Sequence, residues 1–235
     1  MSKKVFIEGK DEGYVDDPNF WLNPAHPDSF RIAQLDDYYP AEYFQADHVS
    51  ATSVEAVCKY VPEYFKKMSG LGLASIGEFG AGGGWFTEGF IKMGYHGITA
   101  IEGSEYGIMK MLERGITWRN MIKQDLRISF QLADNLRFDI GICTEVAEHI
   151  EIPFAGVLVE NLVRHSDLVW FSFEGPDKAS RPHLHHPNEQ PAEFWVNLFD
   201  FHNYGCYLLP DSVFIECQTR GRMIFHNRER GFHVG

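Results

Sequence analysis

Residues 78–85 read Glu-Phe-Gly-Ala-Gly-Gly-Gly-Trp, and this stretch constrains the fold more than any other. It stands between Leu73–Phe79, an apolar run of strand length, and Phe86–Met93, whose apolar residues recur at helical spacing. A turn there needs positive φ angles and a backbone that a ligand can approach closely. Glycine supplies both at little steric cost. A strand that ends in such a turn and runs into a helix is the opening unit of an α/β nucleotide site.

Two further carboxylates fall where such a site needs them. Glu102 closes the next apolar run, Ile98–Ile101, and lies 24 positions after Glu78. There it is placed to accept hydrogen bonds from both hydroxyls of a ribose. Asp125 follows a weaker third run, Trp118–Ile122, at a place from which a side chain reaches the amino group of an adenine. The sixth position of the glycine fingerprint is Trp85, where a dinucleotide site has glycine or alanine to let the helix pack closely. Glu78 would also repel a pyrophosphate. A cationic adenosine ligand fits better, and S-adenosylmethionine is one.

From Leu71 onward strands and helices alternate. Helices are expected around Tyr106–Leu112, Phe154–Val163 and Glu193–Phe201, and strands at Phe138–Cys143 and Leu168–Phe173. Alternation of this kind implies parallel strands with right-handed crossovers, hence a doubly wound sheet covered on both faces. Val213–Cys217 and Met223–His226, with Gly221 between them, read as a closing hairpin. The first part, 1–70, lacks the alternation. It carries Phe20, Trp21, Tyr38, Tyr39, Tyr43, Phe44 and His48, then a helix capped within Ser50–Ser53, interrupted by Pro62 and stopped at Gly70. The expected division is an N-terminal helical and aromatic lid over 1–70, binding the acceptor, and a cofactor domain over 71–235.

The glycine turn resembles the first motif of the class I S-adenosylmethionine-dependent methyltransferases. Ile101-Glu102-Gly103 resembles the acidic end of their second strand, Gln124-Asp125 their adenine-side motif, and Phe138–His149 their fourth-strand motif. The similarity spans about residues 71–201. It implies a Rossmann-like, seven-stranded, mostly parallel sheet with its last strand antiparallel. It also implies that Glu78, Gly80, Ala81, Gly82, Gly84, Glu102, Gly103, Asp125, Leu126 and Thr144 border the cofactor.

Past the fourth strand comes Thr144-Glu145-Val146-Ala147-Glu148-His149, at the carboxyl end of the sheet where ligands of open α/β folds bind. A helical turn here would bring Glu145, Glu148 and His149 to one side. This pattern resembles small-RNA 2′-O-methyltransferases and some ubiquinone-pathway O-methyltransferases. In the former, two Glu and two His hold a divalent cation. The resemblance puts the fourth ligand on the loop carrying His183, His185 and His186, of which His186 matches best. Three readings stay open. Glu145, Glu148, His149 and His186 hold Mg²⁺ or Mn²⁺, and the ion activates an acceptor hydroxyl. Alternatively His149 or His186 is a metal-free general base. In the third, the segment only satisfies backbone groups.

The formal net charge of −12 opposes long nucleic acid and anionic membranes as partners. Four cysteines without a CxxC pair, and the absence of an apolar signal core after Met1-Ser2-Lys3-Lys4, point to a reducing, cytoplasmic setting. The expectation is an enzyme methylating a small-molecule acceptor at oxygen. Its rivals are an RNA-end 2′-O-methyltransferase, a non-catalytic cofactor-binding protein and, most distantly, a nicotinamide-dependent oxidoreductase.

Overall fold

The computed structural model describes residues 3–7, 10–15, 39, 41, 43–45, 49–133, 136–176, 186–217 and 223–233. Phe20, Trp21, Tyr38, His48, His183, His185 and Gly221, named above, lie outside them.

Seven strands form one sheet in the order β5-β4-β3-β6-β7-β9-β8. They are β3 (Ile76–Phe79), β4 (Ile98–Glu102), β5 (Met121–Lys123), β6 (Phe138–Cys143), β7 (Ser166–Phe171), β8 (Tyr204–Leu208) and β9 (Met223–Asn227). β3 lies parallel to β4 and β6, β4 to β5, and β6 to β7, while β9 runs antiparallel to both β7 and β8. The expected mixed sheet with an antiparallel final strand is present. The chain leaves β3 toward β4 and β5, then returns to lay β6 on β3's other side. That reversal opens a crevice at the carboxyl ends of β3 and β6.

Alternation along the strands assigns the two faces. On β7, Leu168 and Trp170 join the core beneath α1 (Ala51–Ser69), α2 (Trp85–Lys92) and α6 (Asp211–Cys217). Val169 and Phe171 join the core beneath α4 (Ala155–His165) and α5 (Ala192–Phe201). A smaller cluster, with Ile108 and Met111, packs α3 (Glu105–Glu113) on Ala100 of β4. α1 is capped at Ser50, whose Oγ accepts from Ser53 N at 3.1 Å, and ends at Gly70 with φ 73°. Pro62 lies inside this helix without ending it.

Two expectations need correction. Val213–Cys217 falls in α6, not in a strand, and the partner of β9 is β8, Tyr204–Leu208. Val213 and Cys217 are four apart and both buried against α1, so the apolar spacing there was helical. Near the N-terminus, β1 (Lys3–Ile7) and β2 (Lys10–Val15) pair antiparallel, where the sequence suggested no strand.

Candidate functional site: a cleft between β3 and β6

The turn after β3 places its glycines in the left-handed region: Gly80 at φ 77°, Gly82 at φ 54° and Gly84 at φ 75°. Gly80 is needed for space as well, because a Cβ there would come within 2.7 Å of Val146 on the neighbouring β6 loop. The turn is tied to β4 through Gly80 N and Ala81 N, both donating to Ile101 O. Glu102, 9% exposed at the end of β4, accepts from Gly82 N at 2.6 Å and from Ser104 N at 2.8 Å. Burial lifts its carboxyl above the ordinary range, although the N–H groups of Ser104, Gly82 and Gly103 hold the charge. The turn, Glu102 and Gly103 therefore form one hydrogen-bonded unit.

Glu78 is 3% exposed, and its Oε2 accepts from the Thr87 hydroxyl of α2. Burial pushes its carboxyl up to about 7 against the opposing pull of Thr87. The structure thus places Glu78 behind the glycine turn. Asp125 is gripped by Arg127, whose Nε donates to both carboxylate oxygens at 3.1 and 3.2 Å. The same guanidinium donates through Nη1 to Glu151 at 3.2 Å. The sequence reading missed Arg127. Its only signal was a cation two residues after an expected ligand. Leu126 is buried beside this pair.

Across the crevice, β6 ends at Cys143. Thr144 follows with its Oγ1 buried and without a hydrogen-bond partner. Glu145 takes a left-handed φ of 54°, sparsely populated for a residue with a side chain. Its N–H donates to Ser172 Oγ, and Ser172 Oγ donates back to its carboxylate at 2.7 Å. The helical turn that follows is a short 3-10 turn, Ala147–His149. The four-residue helical spacing between Glu145 and His149 is therefore absent. Glu148, His149 and His186 do converge, with potential ligand atoms within 4.8 Å of one another. The His149 and His186 rings meet edge to face, centroids 4.6 Å apart. A second triad, Glu174, His186 and Glu189, converges as closely and was not anticipated. Glu148 is 1% exposed; burial and the nearby Glu145 and Glu174 charges raise its carboxyl well above the ordinary range.

Aromatic residues from before α1 pack against this turn. Tyr39 packs edge-on against His149, centroids 5.8 Å apart, and against Tyr43 at 5.1 Å. Phe44 is buried and stands 3.9 Å from where a Cβ on Gly82 would lie. Burial, then the charges of Tyr43, Glu151, Glu102 and Glu148, raise the Tyr39 hydroxyl. Tyr39 thus lies within electrostatic reach of both sides of the cleft.

A seven-stranded sheet of this order, with a glycine turn after its central strand and an acid closing the next, is the architecture of the class I methyltransferases, and the chain has that fold. No protein-family model matches the chain, and no curated protein matches it. Solved structures do. The sugar N-methyltransferase KedS8 from Streptoalloteichus is 14% identical with a TM-score of 0.58, over 83% of this chain and 92% of that one. The plantazolicin methyltransferase BpumL, solved in complex with SAH, is 16% identical with a TM-score of 0.57, over 90% and 94%. The small RNA methyltransferase HEN1 is 20% identical with a TM-score of 0.53, over 75% of this chain but 26% of that one.

Proposed function

We propose that the protein is an S-adenosylmethionine-dependent methyltransferase that methylates a small-molecule acceptor at oxygen. One observation carries the reading. The glycine turn and Glu102 form a single hydrogen-bonded unit at the topological switch point, with the Glu102 carboxylate facing Gly82 N–H and Ser104 N–H. That unit fits the adenosine and methionyl portions of the cofactor, and Asp125 and Leu126 stand on the adenine side. The unpartnered Thr144 hydroxyl marks the opposite wall. The neighbouring structures support the cofactor, since BpumL was solved with SAH.

The cofactor's sulfonium supplies an already activated methyl group. What remains for the chain is alignment, exclusion of water and removal of one acceptor proton. His149 and His186, whose rings meet edge to face on the acceptor side, are the side chains suited to take that proton. The segment holding Tyr39, Tyr43 and Phe44 acts as the lid of this cleft and as part of the acceptor wall. The convergence of Glu148, His149 and His186 supports a second component, a divalent cation of the Mg²⁺ or Mn²⁺ kind on the acceptor side. Held by those residues, such an ion would lower the pKa of an acceptor hydroxyl. The net charge of −12 disfavours a long anionic polymer as acceptor. No helix among the described residues is long and apolar enough to cross a membrane.

Calorimetric titration with S-adenosylhomocysteine, with NADH as control, tests the reading. Micromolar binding of S-adenosylhomocysteine alone is the expected outcome. Binding of NADH in its place, or of neither ligand, refutes it.

A further inference from the structure

Residues 124–132, which carry Asp125, are neither helix nor strand. With no ladder to set its shape, such a segment depends on side chains for its backbone partners. Asn161 of α4, fully buried, supplies several: its Nδ2 donates to Leu126 O and Ile128 O, both at 3.0 Å, and its Oδ1 accepts from Phe130 N at 3.2 Å. Arg127 fixes the remaining side chain, that of Asp125.

We propose that Arg127, anchored on Glu151, is the positioning residue that makes the adenosine site selective for a 6-aminopurine. It occupies all but one accepting position of Asp125 and so fixes the direction of the last. The proposal rests on the cofactor reading given above.

A carboxylate offers about four accepting positions. Asp125 Oδ1 accepts from Arg127 N at 2.9 Å and from its Nε at 3.1 Å. Oδ2 accepts from Nη2 at 2.8 Å and shares the same Nε–H at 3.2 Å. One position on Oδ2 is left for a further donor. The carboxylate cannot rotate away from a fork that grips both oxygens. Nor can the fork swing: the Arg127 side chain is 3% exposed, and Nη1 continues to Glu151 Oε1 at 3.2 Å, just ahead of α4. Asp125 also lies within electrostatic reach of Glu102, whose carboxyl is raised chiefly by burial and further by the Asp125 charge.

The chemistry of discrimination follows. The amino group at C6 of adenine donates to a carboxylate, whereas a 6-oxopurine presents a carbonyl there and carries its proton on N1. A fixed acceptor repels that carbonyl and is left unpaired. A carboxylate free to turn could accept from N1–H instead, so selectivity depends on the fork and not on Asp125 alone. Lysine keeps the charge but, as a point donor, does not grip both oxygens in one plane.

The test is calorimetric titration of the full chain with S-adenosylhomocysteine and with S-inosylhomocysteine, its 6-oxo counterpart. The parent should bind the first at least roughly thirtyfold more tightly, as one hydrogen bond to a charged group allows. In Arg127→Lys that ratio should fall threefold or more. General loosening of the loop weakens both ligands alike and leaves the ratio level, so the ratio separates positioning from a merely structural role. Glu151→Gln keeps the fork but weakens its anchor, and should lower the ratio by a smaller factor. A parent that binds both ligands equally, or a ratio unchanged in Arg127→Lys, overturns the proposal and leaves the methyltransferase reading standing. Should Arg127→Lys fail to fold, an unchanged ratio in Glu151→Gln overturns it. A parent that binds neither ligand refutes the methyltransferase reading, and this proposal with it.

Discussion

The two walls of the cleft are made of different material. On the β3–β5 side the surface is mostly backbone: three left-handed glycines and a carboxylate held by N–H groups of Gly82 and Ser104. On the β6–β7 side it is side chains: Glu148, His149, Glu174, His186 and Glu189, brought together from segments far apart in sequence. Backbone surfaces suit a ligand portion that never varies. Side-chain surfaces can be exchanged without disturbing the sheet, and they suit the portion that defines the reaction. Each wall also buries a carboxylate. Glu78 has Thr87 as a hydroxyl partner, whereas Glu148 keeps one enclosed oxygen without one.

Gly80 is where the walls touch, so substitution there should break the separation most severely. A valine at φ 77° adopts a left-handed conformation, and its Cβ would press on Val146 at 2.7 Å. Together the strain and the overpacking should cost about 4 kcal/mol. Urea unfolding should show the loss, and the surviving folded fraction should bind both S-adenosylhomocysteine and Mn²⁺ poorly. Loss of one ligand with the other unaffected would mean that the walls are not coupled through this contact.

The next effect distinguishes Glu78 from Glu148. With its carboxyl pushed up to about 7 from 4.5, folded Glu78 keeps a proton that the unfolded chain releases. Stability from this group therefore falls as pH rises between those values, by about 3 kcal/mol in total. Glu78→Gln keeps an oxygen for Thr87 and removes the titration. Its stability should gain on the parent by that amount between pH 4.5 and pH 7.5, and Mn²⁺ affinity should not change. Parallel stability curves would show that the Glu78 carboxyl is not raised.

How much of each wall was legible follows from the same contrast. The glycine turn and Glu102 are local matters, encoded by residues adjacent in sequence or at the ends of successive strands. The carboxylate set of the other wall is not local. Glu145 and His149 stand at helical spacing, but the chain spends that interval on a left-handed residue and a short 3-10 turn. Glu174 and Glu189 lie 26 and 41 positions after Glu148 in a region with no regular spacing, so no periodicity could have paired them. His186 was reached only through the family resemblance, by counting back from the next helix to the position of the family's fourth ligand. The tail misled for another reason. Val213–Cys217 is apolar enough for a strand and short enough for either element, and its packing against α1 decides for helix.

The smallest effect sharpens the comparison by separating ligands. Glu102→Ala should weaken S-adenosylhomocysteine binding by about 1–3 kcal/mol, the range for hydrogen bonds to a charged group. Part of that loss is indirect, because Gly82 N–H and Ser104 N–H lose their acceptor and the turn loosens. Glu102→Gln keeps one acceptor oxygen and should fall between the parent and the alanine variant. Mn²⁺ affinity should stay level in both, since no Glu102 atom belongs to either donor triad. Glu148→Gln should give the converse pattern, with Mn²⁺ lost and S-adenosylhomocysteine retained. If Glu102→Ala leaves S-adenosylhomocysteine affinity unchanged, the ribose does not rest on this carboxylate, and the β3–β5 wall binds something other than the adenosine proposed for it.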